Sequence, residues 1–165
     1  MRYIVGIAAL AIVAGLVANK VAPTEASTKT VTRVIDGDTI KVGTETVRLI
    51  GIDTPESVKP GTPVECGAKQ ASAFVKALAT GRHVRLITDP TQDTRDRYGR
   101  LLAYVELEDG TDVQREVLLA GWASVYVYEH RPFRRLSGYR NAMEAASSAR
   151  RGVWGHCGAD FHGRS

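Results

Sequence analysis

Four acidic side chains fall in two short clusters of the kind a hard divalent cation or an acid–base reaction would use. Asp36-Gly37-Asp38-Thr39 puts two carboxylates at a tight turn, and Asp53-Thr54-Pro55-Glu56 puts two more just beyond a run of β-branched and apolar residues. Antiparallel pairing of the intervening segments would bring the clusters together. Hard cations take oxygens from carboxylates, carbonyls and water, and Ca2+ accepts irregular geometry more readily than Mg2+. Asp38, Asp53 and the carbonyl of Thr54 make such a set. The competing reading is that Asp-Gly is hairpin chemistry and Asp53 merely starts a turn.

Arg48 lies between Val47 and Leu49 in an expected strand, where a guanidinium needs either a phosphate partner or an outward-facing position. Arg100 follows Tyr98-Gly99, with a glycine that would let the backbone approach a ligand. Two arginines can fork onto one phosphate and stabilise charge as it grows. Glu56 is then the carboxylate left to orient or deprotonate a water. Tyr98, Tyr126 and Tyr128 suit a base-stacking pocket, although Val125-Tyr126-Val127-Tyr128 reads equally as core packing with one exposed ring. Arg131, Arg134, Arg135, Arg140, Arg150 and Arg151 form either a phosphate-tracking face or solvated helix surface. The histidines make no pair at i, i+4 and no HExxH, which argues against a histidine-led metal enzyme.

These groups need elements to position them. Thr30 to Ile35, Thr39 to Val42 and Glu45 to Ile52 read as three antiparallel strands, the last ended by Thr54-Pro55. Ala68 to Thr80 reads as an amphipathic helix stopped at Gly81. His83 to Thr88 and Arg100 to Leu107 are two further strands around a charged loop. Thr111 to Gln114 matches a capping box before a helix through Ala120, and Phe133 to Ala149 repeats every three or four residues as a C-terminal helix. Five short strands with a helix between the third and fourth suit a Greek-key barrel of the OB type. Too little chain remains for the crossovers of a parallel α/β sheet.

The 165 residues suffice for one domain with a single core. A formal charge of +4 is compatible with a polyanionic partner without requiring one. Arg2 followed by the apolar run Ile4 to Ala18 reads as an export signal cleaved after Ala18 or Ala26, or as an uncleaved membrane anchor. Residues 1–26 are therefore expected to be leader and linker, 27–157 the domain, and 158–165 a tail; the protein is expected outside the cell or tethered to its membrane. In an exported chain, Cys66 and Cys157 most simply form one disulfide; a metal site with His156 and His162 is the rival. The chain is expected to be a monomer without an obligate protein partner.

Val34 to Thr39, Val47 to Glu56 and Asp96 to Tyr104, in this order and spacing, resemble the staphylococcal nuclease (thermonuclease) family. Ala71 to Phe74, Gly121-Trp122-Ala123 with Tyr126 and Tyr128, and Gly152-Val153-Trp154 extend the resemblance over about residues 30 to 155. It implies a five-stranded OB-fold barrel packed with three α-helices and Ca2+ held by Asp38, Asp53 and Thr54. It also implies phosphate clamping by Arg48 and Arg100, Glu56 as general base, and hydrolysis of DNA and RNA to 3′-phosphate ends. The tyrosine segment is one residue shorter at its start than the family pattern. Copies of this fold also serve as catalytically silent binding modules, which is the alternative; a Ca2+-stabilised adhesion domain would leave both arginines idle.

Overall fold

The computed structural model describes residues 28–57, 61 and 63–158, so the expected leader and most of the expected tail lie outside the described residues. Strand β1 (Lys29–Asp36) pairs antiparallel with β2 (Thr39–Val42), and β2 with β3 (Glu45–Leu49). After a short β4 (Ile52–Asp53) and helix α1 (Ala68–Ala79) come β5 (His83–Ile87) and β6 (Leu101–Leu107). Helices α2 (Val113–Leu119) and α3 (Leu136–Ser148) follow, with β7 (Ser124–Val125) between them and a single turn, α4 (Val153–His156), after them. The barrel closes in the order β1-β2-β3-β6-β5, with β3 parallel to β6 and β5 returning to β1. This is the expected five-stranded barrel, with one short helix beyond the three expected.

Alternating apolar residues fill the barrel. Val31, Ile40, Val42, Val47, Leu49, Val84, Val105 and Leu107 are all at most 1% exposed. Helix α1 turns Ala68, Ala71, Val75 and Ala79 inward, and α2 packs between β6 and α3.

Three expectations need correction. The third strand does not run to Ile52: it ends at Leu49, because Gly51 adopts a φ of 81°. A β-carbon there would lie 2.5 Å from the Phe133 ring, so only glycine permits this packing. Ile52 and Asp53 pair instead with Val125 and Ser124. The cap of α2 is Asp112, whose carboxylate accepts from the Arg115 amide at 3.1 Å. Gln114 is wholly buried, accepting from the Val105 amide and donating to the Ala103 carbonyl, both at 3.0 Å. A buried amide side chain needs partners, and β6 supplies them. Finally, α3 begins at Leu136, and Phe133 is buried ahead of it.

Cys66 and Cys157 are joined in a disulfide, which removes them from any metal site and fastens α4 to the segment entering α1. None of the helices among the described residues is long and apolar enough to cross a membrane.

Candidate active site

Register builds the site. Thr39 lies opposite Arg48 across β2 and β3, so Asp38, at the turn just before β2, falls beside the arginine. Arg48 also lies level with Leu102 on the parallel β6, so Arg100, just before that strand, enters from the same end. A bulge in β1 between Val34 and Asp36 turns the hairpin and buries Asp36.

Arg48 is the hub. Its Nη1 donates to the carbonyls of Leu49 (3.0 Å) and Ile52 (2.7 Å), which fixes the guanidinium across the break after β3. Its Nη2 meets Asp38 Oδ2 at 3.1 Å and Asp53 Oδ1 at 3.0 Å. One nitrogen therefore draws both carboxylates to one point. The Thr54 amide donates to Asp38 Oδ2 at 3.4 Å, and among the described residues its buried hydroxyl has no hydrogen-bond partner. Gly37 lies against that hydroxyl; a β-carbon there would come within 2.7 Å of it.

Arg100 is held separately. Its Nε donates to Asp96 Oδ2 at 2.6 Å and its Nη1 to Thr39 Oγ1 at 3.4 Å, while Thr39 in turn donates to Asp38 Oδ1 at 2.9 Å. Burial raises the Asp96 pKa, but hydrogen bonds from the Arg100 side chain and the amides of Arg100 and Tyr98 outweigh it and hold the group below its ordinary value. Asp96 and Thr39 were not singled out in the sequence. The i, i+4 spacing of Asp96 to Arg100 around the Gly99 turn was the available signal.

Arg48, Asp53, Arg100 and the three tyrosines line one cleft of about 640 Å3. Tyr98 is 68% exposed, Tyr126 44% and Tyr128 46%, so both rings of the 126–128 segment face outward and the core-packing reading fails for them. The guanidinium of Arg100 stands 5.3 Å from the Tyr98 ring centre and that of Arg97 4.8 Å from it. Gln92, Arg97, Arg131 and Phe133, none of them anticipated as part of a cleft, also line it, as do Asp93, Arg95 and Asp96. Glu56, Asp38 and Thr54 are not among the lining residues. Glu56 is fixed through its backbone: its amide donates to Glu65 Oε2 at 2.8 Å and its carbonyl accepts from the Glu65 amide at 3.0 Å.

Three of the six arginines near α3 have protein partners for their side chains. Arg131 pairs with Asp93, Arg135 with Glu106 and Asp112, and Arg151 donates to the Leu119 carbonyl.

Residues 46–156 match the profile of the family described as Staphylococcal nuclease homologue, a range that holds Arg48, Asp53, Thr54, Glu56 and Arg100. The chain belongs to that family. It is 42% identical over 130 residues to the thermonuclease of Staphylococcus hyicus, covering 75% of this chain and 73% of that protein. Over 83 residues it is 54% identical to the thermonuclease of Staphylococcus intermedius, 48% of each. The endonuclease YncB of Bacillus subtilis (strain 168) is 40% identical over 134 residues, 78% of this chain and 62% of that one. The chain thus spans from about half to three quarters of the length of these relatives. Family membership accords with the closed barrel.

Proposed function

We propose that the chain is an exported, Ca2+-dependent nuclease that hydrolyses phosphodiester bonds within DNA and RNA and leaves 3′-phosphate ends. The observation that carries the reading is the convergence of Asp38 and Asp53 on one nitrogen of Arg48, with Arg100 beside them at the mouth of an aromatic cleft. Relatives named thermonuclease and endonuclease support the reaction class.

The donor set fits a hard cation: two carboxylates at one point, next to a buried threonine hydroxyl that no described residue satisfies. Asp38, Asp53 and the carbonyl of Thr54 would hold Ca2+, which when bound would neutralise charge on the phosphoryl group. Those are the same carboxylates that hold Arg48 Nη2, so engaging them elsewhere frees that nitrogen for a phosphoryl oxygen. Arg48 and Arg100 then clamp the phosphate and stabilise its added charge in the transition state. Glu56 takes a proton from the attacking water, whose oxygen bonds to phosphorus as the bond to the 5′ oxygen breaks. Tyr98, Tyr126 and Tyr128 stack against bases.

Export, by secretion or a membrane tether, rests on residues 4–18 and on a disulfide that an oxidising compartment would preserve. The protein would act as a monomer on its nucleic-acid substrate.

The deciding experiment is digestion of single-stranded DNA and RNA by the purified chain with Ca2+, with Mg2+ and with chelator, alongside Glu56→Gln. Cleavage that needs Ca2+ and collapses in the variant is expected. Binding without cleavage by a folded wild-type chain would replace this reading with the silent binding module.

A further inference from the structure

A second groove, of about 430 Å3, includes Ser57, the residue that follows Glu56. It is formed by Val34 and Ile35 of β1, by Ser57, and by Lys69, Ser72, Ala73 and Lys76 of α1. Lys69 and Lys76 are seven residues apart, two turns on one helix face, with a rise of about 10 Å between them. That rise matches roughly three nucleotides at 3.4 Å each along a stacked strand. Both lysines are exposed, and among the described residues neither has an ion pair, in contrast to Arg131 and Arg135.

The acidic group bonded to the two serines of the groove is sealed. Asp36 is 6% exposed and its carboxylate accepts from the Ser57 and Ser72 hydroxyls, both at 2.8 Å, and from the Gly37 amide at 2.9 Å. The groove therefore presents two cationic heads over an apolar floor of Val34, Ile35 and Ala73, a surface suited to phosphates with sugars beneath them. Ser57 joins it directly to Glu56 in the chain.

We propose that this groove is a subsite for the phosphodiester backbone of a nucleic-acid strand, separate from the cleft lined by the tyrosines. The proposal rests on the nuclease reading. It makes the substrate a polymer gripped at two places, the tyrosine cleft and the groove of Lys69 and Lys76.

The test compares a single-stranded DNA 20-mer with a mononucleotide p-nitrophenyl phosphodiester, too short to reach α1, using the full chain and Lys69→Ala/Lys76→Ala. The kcat/KM for the 20-mer should fall about tenfold more than that for the ester, through KM. The slope of log affinity against log salt should flatten by about 1.4, at about 0.7 for each phosphate of a single strand that the variant no longer neutralises. Lys69→Arg/Lys76→Arg should restore both. Equal losses on the two substrates, or an unchanged 20-mer, would overturn the subsite. If the wild type cuts neither substrate the nuclease reading fails on its own, and fluorescence anisotropy of the 20-mer with wild type and variant still decides whether the groove binds.

Discussion

Two clusters in this molecule each join arginine to two carboxylates, and they are built differently. Away from the cleft, Arg135 gives one nitrogen to Asp112 and the other to Glu106, Arg85 adds a second cation to Glu106 at 2.9 Å, and Tyr139 donates to Asp112 at 3.0 Å. Each carboxylate there has a guanidinium nitrogen of its own. At the cleft, Arg48 reaches Asp38 and Asp53 through one shared nitrogen and spends the other on backbone carbonyls. The difference is geometric: the two carboxylates at the cleft meet at one guanidinium nitrogen, and the two beside Arg135 are held apart on separate nitrogens. Under the proposed function, the meeting point at the cleft is where a cation would sit.

The charge states agree. Burial alone would lower the Arg135 pKa, but Asp112 and Glu106 raise it well above the ordinary value. Burial and then the nearby Asp112 carboxylate push Tyr139 up as well. These groups stay in one protonation state across the working range, as structural groups should.

The largest contrast should come from the arginines. Arg100→Ala is expected to cut kcat by about 10²–10³, the usual loss of a transition-state donor, with a smaller loss of stability than Arg135→Ala because one carboxylate and not two loses its arginine. Arg135→Ala should instead cost about 2–4 kcal/mol of stability by taking a charged partner from each of two half-buried carboxylates, with kcat within a few fold of wild type. Steady-state kinetics beside denaturant melts decide it, and matching profiles for the two variants would dissolve the distinction.

Next comes the staple behind the catalytic loop. The disulfide spans 91 residues, and Cys66→Ser/Cys157→Ser should lose about 2–4 kcal/mol in urea unfolding. Nothing on the Arg135 side depends on it, so the same double substitution in Arg135→Ala should give an additive loss.

Cation binding separates the clusters more finely. At free Ca2+ about a hundredfold above its dissociation constant, the chain should gain about 2.7 kcal/mol of stability. Asp53→Asn should abolish that gain while Glu106→Gln keeps it, and calorimetric scans with and without chelator read the difference. A gain that survives in Asp53→Asn would move the cation elsewhere.

The smallest effect is in acid. Asp89 is 3% exposed; burial acts to raise its pKa, but hydrogen bonds from Tyr104, the Arg134 amide and Thr91 outweigh it and bring it to about 2. A folded pKa below the unfolded one stabilises above the unfolded value and loses that contribution as pH falls. The contribution, on the order of 1–2 kcal/mol, should be intact at about pH 5 and fade between about pH 4 and 2. Asp89→Asn should flatten that part of the stability profile.

Strand and helix periodicity made the barrel and its principal helices legible, because alternating burial and an amphipathic face are written in local residue order. The catalytic candidates were legible as types at spacings: Asp38, Arg48, Asp53, Thr54, Glu56 and Arg100 are all visible in three short motifs. Antiparallel pairing was enough to expect the two acidic clusters together, but not their meeting at one nitrogen of Arg48. It depends on Thr39 falling opposite Arg48 and on β6 running parallel to β3, and register is a property of paired strands. The same holds for Gln114, whose capping-box spacing was overridden when β6 offered two buried backbone partners. The arginine-rich tail of the sequence shows the limit most directly: local composition counts charges, but only tertiary packing placed Asp93, Glu106 and Asp112 beside Arg131 and Arg135. The sequence by itself determined which elements form and which side chains can do chemistry. The tertiary structure decided which of those charges are spent on one another and which still face the cleft, because pairing depends on distances between segments remote in the chain.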